Sequence, residues 1–106
     1  MKACKYNHFG VPTSTKHENE THYGDMKLYG TSPDDHPYAV EFLRFEEDCT
    51  MPKEIQTMCH TAFEVDDLDE AIKGFKVVLE PVAISDNLKI AFVMDDKALL
   101  ELMQIS

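Results

Sequence analysis

Basic residues are scarce in this chain of 106 residues, where ten Lys and Arg stand against twenty Asp and Glu for a formal charge of -10. A nucleic-acid surface needs clustered Lys and Arg, so the deficit argues against nucleic acid as a partner and disfavours anionic membranes. No apolar run approaches the ~20 residues that span a bilayer. In the opening MKACKYNHFG, Lys5, Asn7 and His8 interrupt any signal-like apolar region. Cysteine is sparse and odd in number. Cys4, Cys49 and Cys59 have no CxxC spacing, so reduced thiols in a cytoplasmic protein are expected. Cys59 and His60 are adjacent, and strand neighbours point to opposite faces, which argues against a shared zinc site. The length fits a single small domain.

What is present centres on residues 59–74, CHTAFEVDDLDEAIKG, a strand and a helix joined by capping residues. Alternation over residues 58–65 sends His60, Ala62 and Glu64 to one face and Thr61, Phe63 and Val65 to the other. Asp67 can cap a helix, with Glu70 completing a capping box. Leu68, Ala71, Ile72 and Phe75 then recur at helical spacing, and Gly74 ends the helix. That apolar stripe covers the Thr61, Phe63 and Val65 face. His60 is left on the uncovered face, where a side chain lines a cavity or meets solvent.

In chain order, residues 5–11 read as a strand ended by Pro12, 13–24 as a polar loop, 26–31 as a strand and 32–37 as a turn. A strand at 38–46 puts Ala39, Glu41, Leu43 and Phe45 on one face, and residues 47–57 form a connector with one helical turn after Pro52. Strands follow at 76–80, 88–94 and 98–105, with a turn at 95–97. Overlaid, the two halves repeat. NHFGV matches CHTAF, MKLYGT matches LKIAFV, and VEFLRF matches LELMQI. Each half opens on a strand with a histidine, His8 or His60, and closes on a strand with a glutamate, Glu41 or Glu101. Gly10 and Ala62, two residues beyond each histidine, are small and leave room beside the imidazole. The first half is shorter, and the loss falls in the polar loop.

Other clusters carry less. The histidines of HENETH, His17 and His22, are five apart in a polar loop, whereas HExxH needs them four apart on one helix face. Asp66, Asp67, Asp69 and Glu70 suit the first turn of a helix. Arg44 is in opposite phase to Glu41 and faces away from it. Phe9, Val11, Val40 and Phe42 make an apolar face with no evident helix above it. The connector around residues 52–57, or a second chain, is expected to cover that face.

HTAFEVDDLDEAIKG with KIAFVMDDKALLELMQ, and HFGVPT with VEFLRFE, resemble the vicinal oxygen chelate superfamily, which includes glyoxalase I, extradiol dioxygenases, epimerases and the bleomycin and fosfomycin resistance proteins. The resemblance is strong over residues 58–106 and weaker over 14–23. It implies an α+β fold in which two βαβββ modules form a curved, cup-like mixed sheet. Module one would span about residues 1–57 with its helix reduced or lost, and module two about 58–106. It also implies a divalent metal ion, Zn, Ni, Mn, Co or Fe, held by His8, Glu41, His60 and Glu101, with positions left for a substrate bearing adjacent oxygens. Glu41 and Glu101 would then be the proton-carrying catalytic groups. The activity implied is that of a glyoxalase-like lyase or isomerase, ahead of a dioxygenase. The alternative is a sequestering protein, like the resistance proteins, with a metal-free cup. Homodimers are common in the family, so a homodimer is expected.

Overall fold

A computed structural model describes residues 4–106 of the chain. Among the described residues eight strands run β1 (Lys5–Pro12), β2 (Thr21–Tyr23), β3 (Leu28–Gly30), β4 (Val40–Phe45), β5 (His60–Glu64), β6 (Lys76–Ser85), β7 (Leu88–Asp95) and β8 (Ala98–Ile105). Helix among the described residues is confined to α1 (Lys53–Thr57), α2 (Leu68–Ala71) and a 3-10 turn at Pro33–Asp35. The described chain is therefore mostly sheet, with parallel and antiparallel pairs mixed. It divides into two compact units, one formed by His8–Cys59 and the other by His60–Ser106 with the residues up to Asn7. No helix among the described residues is long and apolar enough to cross a membrane.

In the unit His8–Cys59 the strands lie in the order β2-β3-β4-β1, with β1 parallel to β4 and the remaining pairs antiparallel. The stretch 13–24, expected to be loop throughout, contains the short edge strand β2, which pairs His22 with Tyr29. Its three residues carry too little alternation to be read alone. The neighbouring strand supplies both the hydrogen bonds and the ring on which His22 stacks, at 4.3 Å and 15°. β3 starts later than expected because Lys27, at φ 56, closes the preceding turn. β4 likewise starts at Val40, after Ala39 at φ 57.

On the apolar face of this unit, the Phe42 ring is met by two imidazoles. His17, from the polar loop, lies flat on Phe42 with ring centroids 4.7 Å apart, and His36 meets the same ring edge-on at 6.1 Å. Arg44 faces away from Glu41, as its phase requires, and its guanidinium sits 4.2 Å over the Tyr29 ring. It also donates to both carboxylate oxygens of Glu20, at 2.9 and 2.8 Å. Those hydrogen bonds hold the Glu20 carboxyl down at about 2. The loop is thus pinned to the sheet by one ring stack and one bidentate ion pair. The connector does form the expected helical turn, α1, with Ile55 buried.

In the other unit the order is β5-β8-β7-β6, with β5 parallel to β8. The start of β1 adjoins it. Asn7 Nδ2 donates to Glu64 Oε2 at 3.0 Å, and Tyr6 meets Phe63 edge-on. Asp67 caps α2, its Oδ1 accepting from the Glu70 amide at 3.3 Å. Leu68, only 1% exposed, packs with Phe63, Val65, Ala71 and Ile72 around Ala91, Val93 and Leu102, so the helix covers the expected face. It is shorter than its apolar period suggests. Gly74, at φ 85, turns the chain away, and Phe75 is left 40% exposed. β6 runs through Pro81 to Ser85, well past its expected end, with register shifts that accommodate the missing amide donor.

Candidate metal centre

His60 opens β5 and Glu101 lies mid-way along β8, and the parallel pairing of these strands sets Glu101 opposite Ala62. A methyl group there leaves the carboxylate free to extend toward His60 along the sheet face. Glu101 Oε1 lies 3.1 Å from His60 Nε2. Both side chains are buried, and the Phe92 ring stands edge-on to the imidazole at 5.0 Å. Phe92 pairs with Glu101 across β7 and β8, and Ile90 with Met103 beside it, so the pair is walled by apolar side chains on its own face. In such surroundings a charged contact is stronger than in water, and an uncompensated charge is costlier.

The other unit holds a second pair built the same way. β1 and β4 run parallel with Gly10 opposite Glu41, the same offset of two residues from the histidine. Glu41 Oε1 lies 3.3 Å from His8 Nε2. His8 is buried, while the Glu41 side chain remains 19% exposed. Each half of the chain therefore presents an imidazole Nε2 to a carboxylate Oε1 on a parallel neighbour strand, beside a residue too small to block it.

The donor chemistry fits a divalent ion. Imidazole nitrogen and carboxylate oxygen suit Zn, Ni, Mn, Co and Fe alike. Two ligands on one ion at ~2.1 Å are separated by ~3.0 Å in an octahedral shell and ~3.4 Å in a tetrahedral one. The two observed separations, 3.1 and 3.3 Å, fall in that interval. A pair at this distance has two states, an Nε2–H donating to the carboxylate or both lone pairs meeting a cation, and they exchange a proton for the ion. His60 and Glu101 in one unit, and His8 in the other, are each buried and each offer one ligand atom of the kind a divalent ion takes. Glu41, the fourth residue expected, keeps its contact with His8 within its own unit.

The HENETH residues are engaged elsewhere. His17 Nδ1 donates to the Thr15 carbonyl at 3.1 Å while its ring covers Phe42. His22 stacks on Tyr29 with its Nε2 3.3 Å from Glu46, and Glu20 is taken by Arg44. The ladder His22, Tyr29, Arg44 across three strands was not legible in the sequence. Its members lie far apart in the chain, and only the strand register aligns them.

No protein-family model matches the chain, and none of the curated proteins does. Among solved structures, the crystal structure of a hypothetical protein from Bacillus halodurans C-125 is similar, with a TM-score of 0.67 over 99% of this chain and 96% of that one. The two sequences are 16% identical, so the likeness concerns the fold alone.

Proposed function

We propose that this chain is a metal-dependent enzyme of the vicinal oxygen chelate kind, in which two βαβββ modules face one cup and His8, Glu41, His60 and Glu101 serve a single divalent ion. The observation that supports it is the equivalent register of the two pairs, with Gly10 opposite Glu41 and Ala62 opposite Glu101. An ordinary surface pair has no reason to recur at the same offset on parallel strands of both halves. When bound, the ion supplies Lewis-acid stabilisation of negative charge on neighbouring substrate oxygens. His60 and Glu101, within their apolar wall, are the fixed ligands and exclude water. Glu41, the more exposed carboxylate, is the group that carries a proton between substrate and solvent through its Oε atoms. The reaction class is that of a glyoxalase-like lyase or isomerase, since two histidines with two carboxylates exceed the two-histidine, one-carboxylate set of dioxygenases. The three free cysteines suit a reducing cytoplasm. Phe9, 37% exposed on the outer face, is where a second copy would associate.

One observation favours a second reading. Between β1 and β4 the chain forms only strands and a 3-10 turn, without the α-helix that backs β5 in the other half. A cup with one unsupported wall suits a protein that sequesters a small molecule without transforming it. Metal content separates the readings. Protein purified without a polyhistidine tag should carry stoichiometric divalent metal by elemental analysis, and His60→Ala and Glu101→Ala should each abolish it. Metal-free protein with no micromolar affinity for any of the five ions would leave sequestration standing.

A further inference from the structure

The helix-bearing face of the unit built on His60–Ser106 is only partly roofed. α2 is a single turn, and beyond it the sheet surface stays open as a groove of about 930 Å³. Its floor is apolar, formed by Phe63, Val65, Ala71, Phe75, Leu100 and Ile105. Phe75 is 40% exposed and Ile105 51%, which is high for large apolar side chains sharing one concavity. The rim is acidic. Glu64, Asp66, Asp67 and Glu70 border the groove; among the described residues that line it Lys5 is the one cation, with Lys73 beside Glu70 at the edge. Asp67 caps α2 and Glu70 bonds Lys73 at 2.9 Å, yet both leave carboxylate oxygens toward solvent on exposed residues.

From this pairing of apolar floor and acidic rim we propose that the groove docks a cationic amphipathic segment of another protein, apolar side chains down and Lys or Arg against the rim. Charge selects this occupant over the others. A second copy of this chain would bring a like acidic rim against the first, on a molecule whose formal charge is already -10. An anionic lipid surface is repelled for the same reason. A helix with apolar anchors at i, i+3 and i+4 matches a groove of this kind and fixes its basic residues to either side. Phe63, Val65 and Leu100 put most of the floor on the sheet face opposite His60 and Glu101, and Glu64 and Ile105 join it at the strand ends, so docking is independent of metal at those two residues.

The test uses the full chain and a fluorescently labelled Leu/Lys peptide with its leucines at helical spacing, followed by anisotropy. Wild type should bind it at micromolar Kd, and more tightly than a peptide of the same composition with the spacing scrambled. Phe75→Ser with Ile105→Ser, both exposed and so compatible with the fold, should weaken binding at least about tenfold with an unchanged circular dichroism melt. Asp66→Asn with Glu70→Gln should weaken it several-fold and flatten its salt dependence. Asp95→Asn with Asp96→Asn, in the distant hairpin turn, should leave it unchanged. Binding that falls equally in the hairpin variant, or that ignores the leucine spacing, would overturn the proposal in favour of unspecific attraction to an acidic protein. Wild type that sediments as a dimer and becomes monomeric in the Phe75→Ser, Ile105→Ser variant would overturn it in favour of a second copy.

Discussion

Glu101→Gln separates what the buried pair does for stability from what it does for a metal. Gln keeps the volume of Glu and an oxygen that can accept from His60 Nε2, now 3.1 Å from Oε1. What it loses is the negative charge. A neutral hydrogen bond for a charge-assisted one costs about 1 kcal/mol, so the chelator-treated variant should melt close to wild type. Metal binding behaves otherwise. A ligand present at a hundred times its Kd stabilises by ~2.7 kcal/mol. For a domain near this size each kcal/mol moves the melting point by ~4–8 °C, so wild type should gain about 11–22 °C on saturation. The variant should lose most of that gain at the same metal concentration, since an amide is a far poorer ligand than a carboxylate. Scanning calorimetry with Zn, Ni, Mn, Co and Fe(II), each against EDTA, reads both quantities in one experiment. No shift with any of the five ions in wild type refutes the reasoning. So does an undiminished shift in Glu101→Gln, which would place the ion elsewhere.

Three further outcomes follow from the packing. Leu68, 1% exposed at the centre of the α2 cluster, should cost ~3–5 kcal/mol when changed to Ala, read as a lower urea midpoint at unchanged slope. Glu20, held down at about 2 by Arg44, binds fewer protons folded than unfolded between its ordinary value and that one. The stability it contributes is therefore complete above pH ~4.5 and is lost as pH falls toward 2. Glu20→Gln should flatten this acid limb, and amide exchange in residues 13–20 should quicken in the variant at neutral pH. An acid limb identical to wild type would show that the ion pair does not hold the loop. At Gly74, φ 85, an added Cβ would meet nothing within 4 Å. Gly74→Ala should therefore cost only the backbone term, ~1–2 kcal/mol by chemical denaturation, and a larger loss would reveal packing at this turn.

The sequence by itself determined the local chemistry of the site. Strict alternation in HTAFE places His60 and Ala62 on one face, and the caps and apolar period of DDLDEAIKG put a helix over the other. The matched histidines and glutamates of the two halves were visible as spacing, because a period of two fixes which side chains share a face. Tertiary structure decided whatever depends on register between distant strands. That Glu101 stands opposite Ala62, and Glu41 opposite Gly10, follows from parallel pairings whose partners are some thirty to forty residues apart. The same holds for β2, too short to announce itself, and for the polar loop, whose His17 and Glu20 acquire their roles only against Phe42 and Arg44. α2 stops short of its apolar period because the left-handed turn at Gly74 prevails over Phe75's place in the stripe. Side-chain periodicity is a property of one segment and can be read along it, whereas register is settled by packing between segments.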